Sequence, residues 1–146
     1  MDAANSSSIR DIAGDLKTFA ARVILHGLRA SDALALAPID LVCMCLLQLD
    51  GPATPGWLAE KTGLTTGAVT GMIDRLESAG YVSRSRDPED RRRVIVQPNL
   101  KSWDHDLQVR TPHRAPVSLA FLHEYTPAQL RVVRRFVSDL ATAQAP

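Results

Sequence analysis

The chain has no apolar run of the roughly 18 residues that a membrane-spanning helix needs, and no signal peptide at its start. Those absences set aside the membrane-embedded and exported classes, so the cytosol is the expected location. Net charge is scarce too: 17 Lys and Arg stand against 16 Asp and Glu, leaving +1 at pH 7. Bulk electrostatics therefore do not announce a nucleic-acid binder, and such a reading has to rest on where the charge lies. Cysteine is limited to Cys43 and Cys45. Two positions apart on a helix, they point about 200° apart and cannot bond to each other. Buried free thiols on a core helix are the expectation; a redox switch would require one of them exposed with a lowered pKa. No nucleophile–base arrangement and no paired acid motif is visible. Gly67-x-x-x-Gly71 is not a phosphate-cradling loop, because no Gly-Lys-Ser/Thr comes after it. Catalytic residues, metal ligands and cofactors are accordingly unassigned, and an enzyme is not expected. No internal repeat or low-complexity segment is found.

What the chain does hold is enough for one domain with a real core: 146 residues, 45% hydrophobic and 23% charged. Its organising stretch is 62–80. Read as a helix starting after Thr65, this segment places Val69, Met72, Ile73 and Leu76 on one face. The other face carries Thr66, Gly67, Thr70, Gly71 and Asp74, all short side chains or none. Gly80 suits the left-handed residue after a helix end. Two glycines one turn apart in a helix cost roughly 1 kcal/mol each relative to Ala. Either they are tolerated on an ordinary surface helix, or they make a smooth face that lies against something large.

The residues after Gly80 favour the second reading. Tyr81-Val82-Ser83-Arg84-Ser85-Arg86 and Arg91-Arg92-Arg93-Val94-Ile95-Val96 flank the turn signal Asp87-Pro88-Glu89-Asp90, which predicts a β-hairpin. Its arms hold five arginines, Arg84, Arg86, Arg91, Arg92 and Arg93, against three acids at the tip. A smooth helix joined directly to a basic hairpin is the pattern of a winged helix-turn-helix. In such a unit the helix enters the major groove and the hairpin straddles the phosphates. The fold class expected is mainly α with a small β-hairpin wing.

The flanking segments give the rest. Residues 1–7 are polar and expected to lack order. Ser8 with Asp11 resembles a capping box, and Ile9, Ile12, Ala13, Leu16, Phe19, Ala20, Val23, Ile24 and Leu28 form a long stripe. That stripe exceeds what a small winged domain needs, so a helix-on-helix interface with a second copy is the sharper inference, beside plain intramolecular packing. Pro38 opens a helix over 39–49 that is apolar almost all round and is expected to be buried. Thr54-Pro55 caps a third helix that ends at Gly63, and the link 63–65 joins it to the reading helix. The segment 103–109 fits a helical turn or two, while Pro112 and Pro116 interrupt any longer helix. A helix over 115–125 is expected to turn Val117, Leu119, Leu122 and Phe121 inward. Thr126-Pro127-Ala128-Gln129 is a capping box opening a last helix, with Leu130, Val133, Phe136, Val137 and Leu140 as its stripe. The layout is a single domain, 1–146, with a winged lobe at 38–98 and dimerisation helices at 8–30 and 115–143.

This order resembles the MarR-type transcriptional regulators. The match is carried by Leu58-Ala59-Glu60, Gly63-Leu64-Thr65, Val69-Thr70, Ile73-Asp74-Arg75-Leu76-Glu77, Gly80-Tyr81-Val82-Ser83-Arg84 and Asp87-Pro88-Glu89-Asp90-Arg91-Arg92. It is strong over 39–96 and rests on position and pattern alone in the terminal helices. The resemblance implies a homodimer on a pseudopalindromic operator in double-stranded DNA, usually a repressor and often released by a small aromatic or phenolic ligand. Carried over residue by residue, Thr66, Gly67 and Thr70, behind Thr65 at the helix start, face bases or phosphates. Arg75 reaches the backbone, Arg92 enters the minor groove and Asp90 positions the wing through charged hydrogen bonds. Arginine favours a narrow, electronegative minor groove, while short hydroxyls mostly hold register. Two departures stand out. Gly71 occupies a position where the family often has a long polar or basic side chain. Gln97-Pro98 replaces the usual Leu-Thr, with prolines breaking the long helix normally found after the wing.

The remaining features have plainer readings. Asp104-His105-Asp106 with His113 and His123 matches no strong metal spacing and reads as a solvated polar turn. His26 reads as an interface or partly exposed histidine beside the option of an effector pocket, and Trp57 and Trp103 as packing residues. Two competing classes remain: a winged-helix protein-interaction module that has lost DNA reading, and a small enzyme using the 104–123 region.

Overall fold

Proline, threonine and glycine punctuate the chain, and the computed structural model, which describes residues 3–111 and 119–143, shows each helix starting or stopping at such residues or at an asparagine, with one exception. The elements run α1 (Ala3–Leu34), α2 (Pro38–Asp50), α3 (Pro55–Thr62), α4 (Thr66–Ser78), β1 (Val82–Arg86), β2 (Val94–Pro98), α5 (Leu100–Arg110), a 3-10 turn (Ala120–Glu124) and α6 (Pro127–Thr142). The fold is thus mainly helical with, among the described residues, a single antiparallel hairpin. The chain divides into two compact units, Met1–Pro116 and Val117–Pro146. No single helix among the described residues is long and apolar enough to cross a membrane.

The exception is α1. It begins at Ala3, so Ser8 lies inside it and not at its start. Residues 3–8 hold no Pro or Gly to stop a helix, and Ser with Asp three positions on is also the spacing of two neighbours on one helix face. The helix also runs past 30 to Leu34, because Ala30, Ser31 and Leu34 are buried at its C-terminal end. The Ser31 hydroxyl donates to the Leu36 carbonyl at 2.5 Å, closing the corner into α2.

Inside the first unit the core is formed by Leu34, Cys43, Met44, Leu47, Leu58, Val69, Met72, Ile73, Leu76, Tyr81, Val82, Val96 and Trp103. The four apolar residues expected on the inner face of α4 are all there. The α2 helix departs from expectation. It buries Asp40, Cys43, Met44 and Leu47 but leaves Val42, Cys45 and Leu49 exposed, so it is covered on one face only. At 13 residues, it has the core of one small lobe to cover it. Cys45 is therefore exposed, contrary to the expectation of two buried thiols.

Thr54 accepts from the Trp57 amide at 3.1 Å and Pro55 opens α3; Gly63, at φ 69°, ends it in the left-handed conformation. Gly80 at φ 77° does the same for α4: its amide donates to Glu77 and the Tyr81 amide to Leu76, a Schellman pair. Tyr81 then meets Trp103 edge to face at 5.2 Å and donates its hydroxyl to Asp106 at 2.7 Å. Residues 100–110 form one continuous helix, more than the turn or two expected. Asn99 opens it, accepting from the Ser102 amide, and it ends before Pro112. In the second unit the expected helix over 115–125 is, in its described part, only the 3-10 turn. Leu119 and Phe121 are exposed there, not inward. Ala115 and Val117, like His113, lie outside the described residues. Thr126 and Gln129 form the capping box of α6 as expected.

Candidate nucleic-acid interface

Thr65 organises the start of α4. Its hydroxyl oxygen accepts from the Ala68 amide at 3.3 Å and its carbonyl from the Val69 amide at 3.0 Å. The first helical amides, those of Thr66 and Gly67, are left without an intrahelical acceptor and carry the positive end of the helix dipole. Thr66, Gly67 and Thr70 are all exposed. A Cβ built on Gly67 would meet nothing within 4 Å, and one on Gly71 only the Arg75 Nη1 at 3.7 Å. Neither glycine is required by the protein's own packing, and both leave the α4 surface bare. Thr70 spends its hydroxyl proton on the Thr66 carbonyl at 2.9 Å.

The arginines divide into two sets. Arg75 donates from Nε to Asp40 Oδ2 at 3.0 Å and from Nη2 to Asp40 Oδ1 at 2.7 Å. Asp40 is fully buried and also accepts from the Ala37 amide at 2.9 Å, capping α2. The Asp40 hydrogen bond raises the Arg75 pKa, holding the guanidinium charged. Arg84, on β1, reaches back to Asp74 and Glu77 on α4, and its backbone amide donates to Glu77 at 3.1 Å. Its pKa is raised first by the bond to Asp74. Both residues, expected at phosphates, are paired with carboxylates of the protein itself: Arg75, half exposed, fastens α4 to α2, and Arg84 fastens the hairpin to α4.

The second set sits at the wing tip. The strands pair Val82 with Pro98 through Arg86 with Val94, so Arg91, Arg92 and Arg93 lie in the turn, not on an arm as expected. Asp87 Oδ1 accepts from the Glu89 amide at 2.9 Å and Asp90 Oδ1 from the Arg92 amide at 3.0 Å. Asp90 thus shapes the wing through backbone amides. Arg86 donates to the Arg91 carbonyl at 3.3 Å, and Arg93 lies 3.9 Å from Asp87. Among the described residues, the Arg91 and Arg92 side chains have no ion-pair partner.

Elsewhere, Asp104 accepts from Gln48 at 3.3 Å and Asp106 from Tyr81, which gives both carboxylates structural work. A cleft of about 420 Å³ opens beside α4, lined by Leu34, Ala35, Leu36, Asp74, Arg75, Ser78 and Ala79. The residue that sequence reasoning passed over is Asp40. The signal was present: Pro38 at the first helical position puts a carboxylate at the third, where it reaches back to the cap amide. Asp74 and Glu77, one turn apart on α4, were likewise placed to meet a cation from the next strand.

The comparisons with known proteins agree with this geometry. The MarR family pattern matches residues 38–94. YcgE of Bacillus subtilis, an uncharacterized HTH-type transcriptional regulator, is 42% identical over 120 residues, covering 82% of this chain and 77% of that protein. The HTH-type transcriptional repressor NicR of Pseudomonas putida is 36% identical over 62 residues, 42% of this chain and 39% of that one. Among solved structures, the transcriptional regulator Tm0710 of Thermotoga maritima superposes with a TM-score of 0.64 over 90% of this chain and 92% of its own, at 20% identity, a likeness of fold. The hairpin, the bare helix beside it and a relative matched along most of the chain converge: this protein belongs to the MarR family of winged-helix, DNA-binding transcriptional regulators.

Proposed function

We propose that two copies of this chain bind one pseudopalindromic operator as a cytosolic repressor, released by a small aromatic or phenolic ligand. One observation carries the reading: a bare α4 surface lies beside a wing tip whose Arg91 and Arg92 side chains have no ion-pair partner among the described residues. In this reading Thr65, Thr66, Gly67 and Thr70 lie against the major groove. Arg86, Arg91 and Arg93 meet phosphates, Arg92 enters the minor groove, and Asp90 holds the turn that aims it. Arg75 and Arg84 hold helix and wing in mutual register, without phosphate contact.

Support for the second copy comes from α1, where Ile9, Phe19, Ile24, Leu25 and Leu28 stay 44–63% exposed on a helix of 32 residues. A stripe of that length on a monomer exceeds the scattered apolar exposure expected of a solvated surface. The relative NicR is a transcriptional repressor. The cleft beside α4 sets Leu34, Leu36 and Ala79 next to the Arg75 guanidinium, with Asp74 and Ser78 on the same wall, and could seat a small aromatic ligand. An occupant there touches the reading helix directly.

The test is a gel shift on the chain's own upstream DNA with Arg92→Ala over a range of salt. We expect weaker binding and a log–log salt slope reduced by about one. Full affinity and an unchanged slope would sink the assignment. Addition of candidate aromatic acids to the same complex should release the DNA. A chain that shifts no duplex at all would instead be an interaction module.

A further inference from the structure

We propose that this protein reads its operator through thymine C5-methyl groups in the major groove and a narrow minor groove under the wing, without hydrogen-bonding any purine N7 from α4. This rests on the operator-binding reading above and specifies how the site discriminates.

Base pairs are ordinarily told apart in the major groove by long side chains. Arg or Lys bonds guanine O6 and N7, Asn or Gln bonds adenine N6 and N7, and Asp or Glu accepts from cytosine N4. The exposed positions of α4 through its first three turns are Thr66, Gly67, Ala68, Thr70, Asp74 and Arg75, with Gly71 half-exposed among them. Arg75 apart, none is Arg, Lys, Asn or Gln. The one carboxylate, Asp74, is committed to Arg84. Arg75, on the helix and half exposed, turns Nε and Nη2 to Asp40, and Arg84, on the neighbouring strand, is held by Asp74 and Glu77. Thr70 has donated its proton to the Thr66 carbonyl, so it offers a methyl group and lone pairs.

What α4 retains beside Arg75 is therefore mainly short: the methyls of Thr66, Ala68 and Thr70, and the Thr66 hydroxyl. The backbone at Gly67 is bare, with open space where a Cβ would stand. The thymine C5-methyl is the apolar feature of the major groove, and Ala and Thr methyls are its natural contacts. A helix without side chains at 67 and 71 sits deep enough for such short groups to arrive. At the other end of the site, Arg91 and Arg92, free of internal ion pairs among the described residues, suit the strong negative potential of a narrow, A·T-rich minor groove. The two halves ask for the same base pairs by different means.

The experiment uses the full chain and duplexes it selects from a randomised pool. Replacing thymine by uracil at selected major-groove positions removes only the methyl, and we expect about a fourfold loss of affinity per methyl. Replacing purines by their 7-deaza analogues should change affinity by less than twofold. In the selected duplex, inosine–cytosine pairs exchanged for A·T under the wing should be tolerated, since they keep the minor groove free of the guanine amino group; guanine–cytosine pairs should weaken binding. A tenfold loss with 7-deazapurines, and none with uracil, overturns the proposal while leaving operator binding intact. Failure to select any sequence overturns both. A second arm adds what the helix lacks: Gly71→Arg has room, since its Cβ would make only ordinary contact at 3.7 Å. It should select a guanine that the parent ignores and become sensitive, by tenfold or more, to 7-deazaguanine at that position. A Gly71→Arg protein with the parent's preferences and its own N7 dependence would count against the proposal.

Discussion

The winged lobe and the first two-thirds of α1 carry apolar stripes of the same helical period, yet one is sealed and the other bare. In the lobe, Val69, Met72, Ile73 and Leu76 are at most 1% exposed, whereas on α1 Phe19 is 50% and Ile24 63% exposed. Periodicity says that a face wants cover; it does not say who supplies it. In the lobe the cover is α2, α3 and the hairpin, brought close by short capped turns. Along α1, among the described residues, full burial begins only at Ala30. The difference teaches that the lobe covers its own stripe, while α1 leaves a demand for apolar contact that a second copy would satisfy in the proposed dimer.

The largest expected effect tests the bare side. Ile24→Glu should cost roughly 3–6 kcal/mol of dimer stability, because twofold symmetry counts each lost burial twice. Sedimentation equilibrium should then find monomer where the parent is dimer, with the lobe's circular dichroism unchanged. A variant that stays dimeric at the parent's concentration would end the comparison, since α1 would then need another cover. On the sealed side, Leu58→Ala should destabilise by about 3 kcal/mol, for Leu58 has no exposed surface. That loss should appear in urea melts of the Ile24→Glu monomer just as in the parent. If it appears only in the dimer, the lobe does not stand alone.

A smaller effect sharpens how the lobe is fastened. Asp40→Ala removes the cap of α2 and strips two hydrogen bonds from Arg75, and should cost about 2 kcal/mol. Arg75 is half exposed and can rehydrate, which keeps the loss below that of a fully buried pair. Operator affinity should fall as well, since α4 loses its tie to α2. Equal stability with Asp40→Ala in a thermal melt would show the pair to be ornamental.

These elements differ in how far the sequence announced them. The start of α4, its inner face, its glycine stop and the hairpin were legible because local chemistry sets them: a threonine cap, a 3.6-residue period, a left-handed glycine and a proline turn. The caps at Thr54 and Thr126 were legible for the same reason. The beginning of α1 was not, since Ser8 and Asp11 have the spacing of a capping box and of plain helical neighbours alike. Nor was the division among the arginines. Counting charge between 84 and 93 reveals a basic cluster, but whether Arg84 is free depends on two carboxylates one helix away. Arg75 depends on Asp40, 35 positions earlier. Pairings of that kind are settled by tertiary approach. The reading of α2 as buried all round failed likewise, because composition gives apolarity without saying how many neighbours a small lobe can assemble.

That failure leaves two thiols on opposite faces of one helix, and they repeat the comparison in miniature. Burial pushes the Cys43 thiol up to about 12, with the nearby Asp40 charge adding to it, while Cys45 is raised by desolvation on its apolar surface. Raised values keep both protonated at neutral pH, so neither is a ready nucleophile. A thiol reagent at pH 8 should therefore modify Cys45 several-fold more slowly than an unfolded control, and Cys43 no faster than the protein unfolds. The linkage has a definite sign. Below the unfolded thiol pKa near 9 both states hold the Cys43 proton and the group leaves stability independent of pH. Between about 9 and 12 the unfolded chain loses that proton and the folded one keeps it, so stability falls as pH rises. Cys43→Ala, compared with Cys45→Ala, should lower stability at neutral pH by the loss of one sulfur's packing yet flatten this alkaline decline. Urea melts from pH 8 to 10.5 that decline in parallel for the two variants would mean that Cys43 is not sealed by the lobe, and that the sealed and bare sides of α2 are less different than the structure has them.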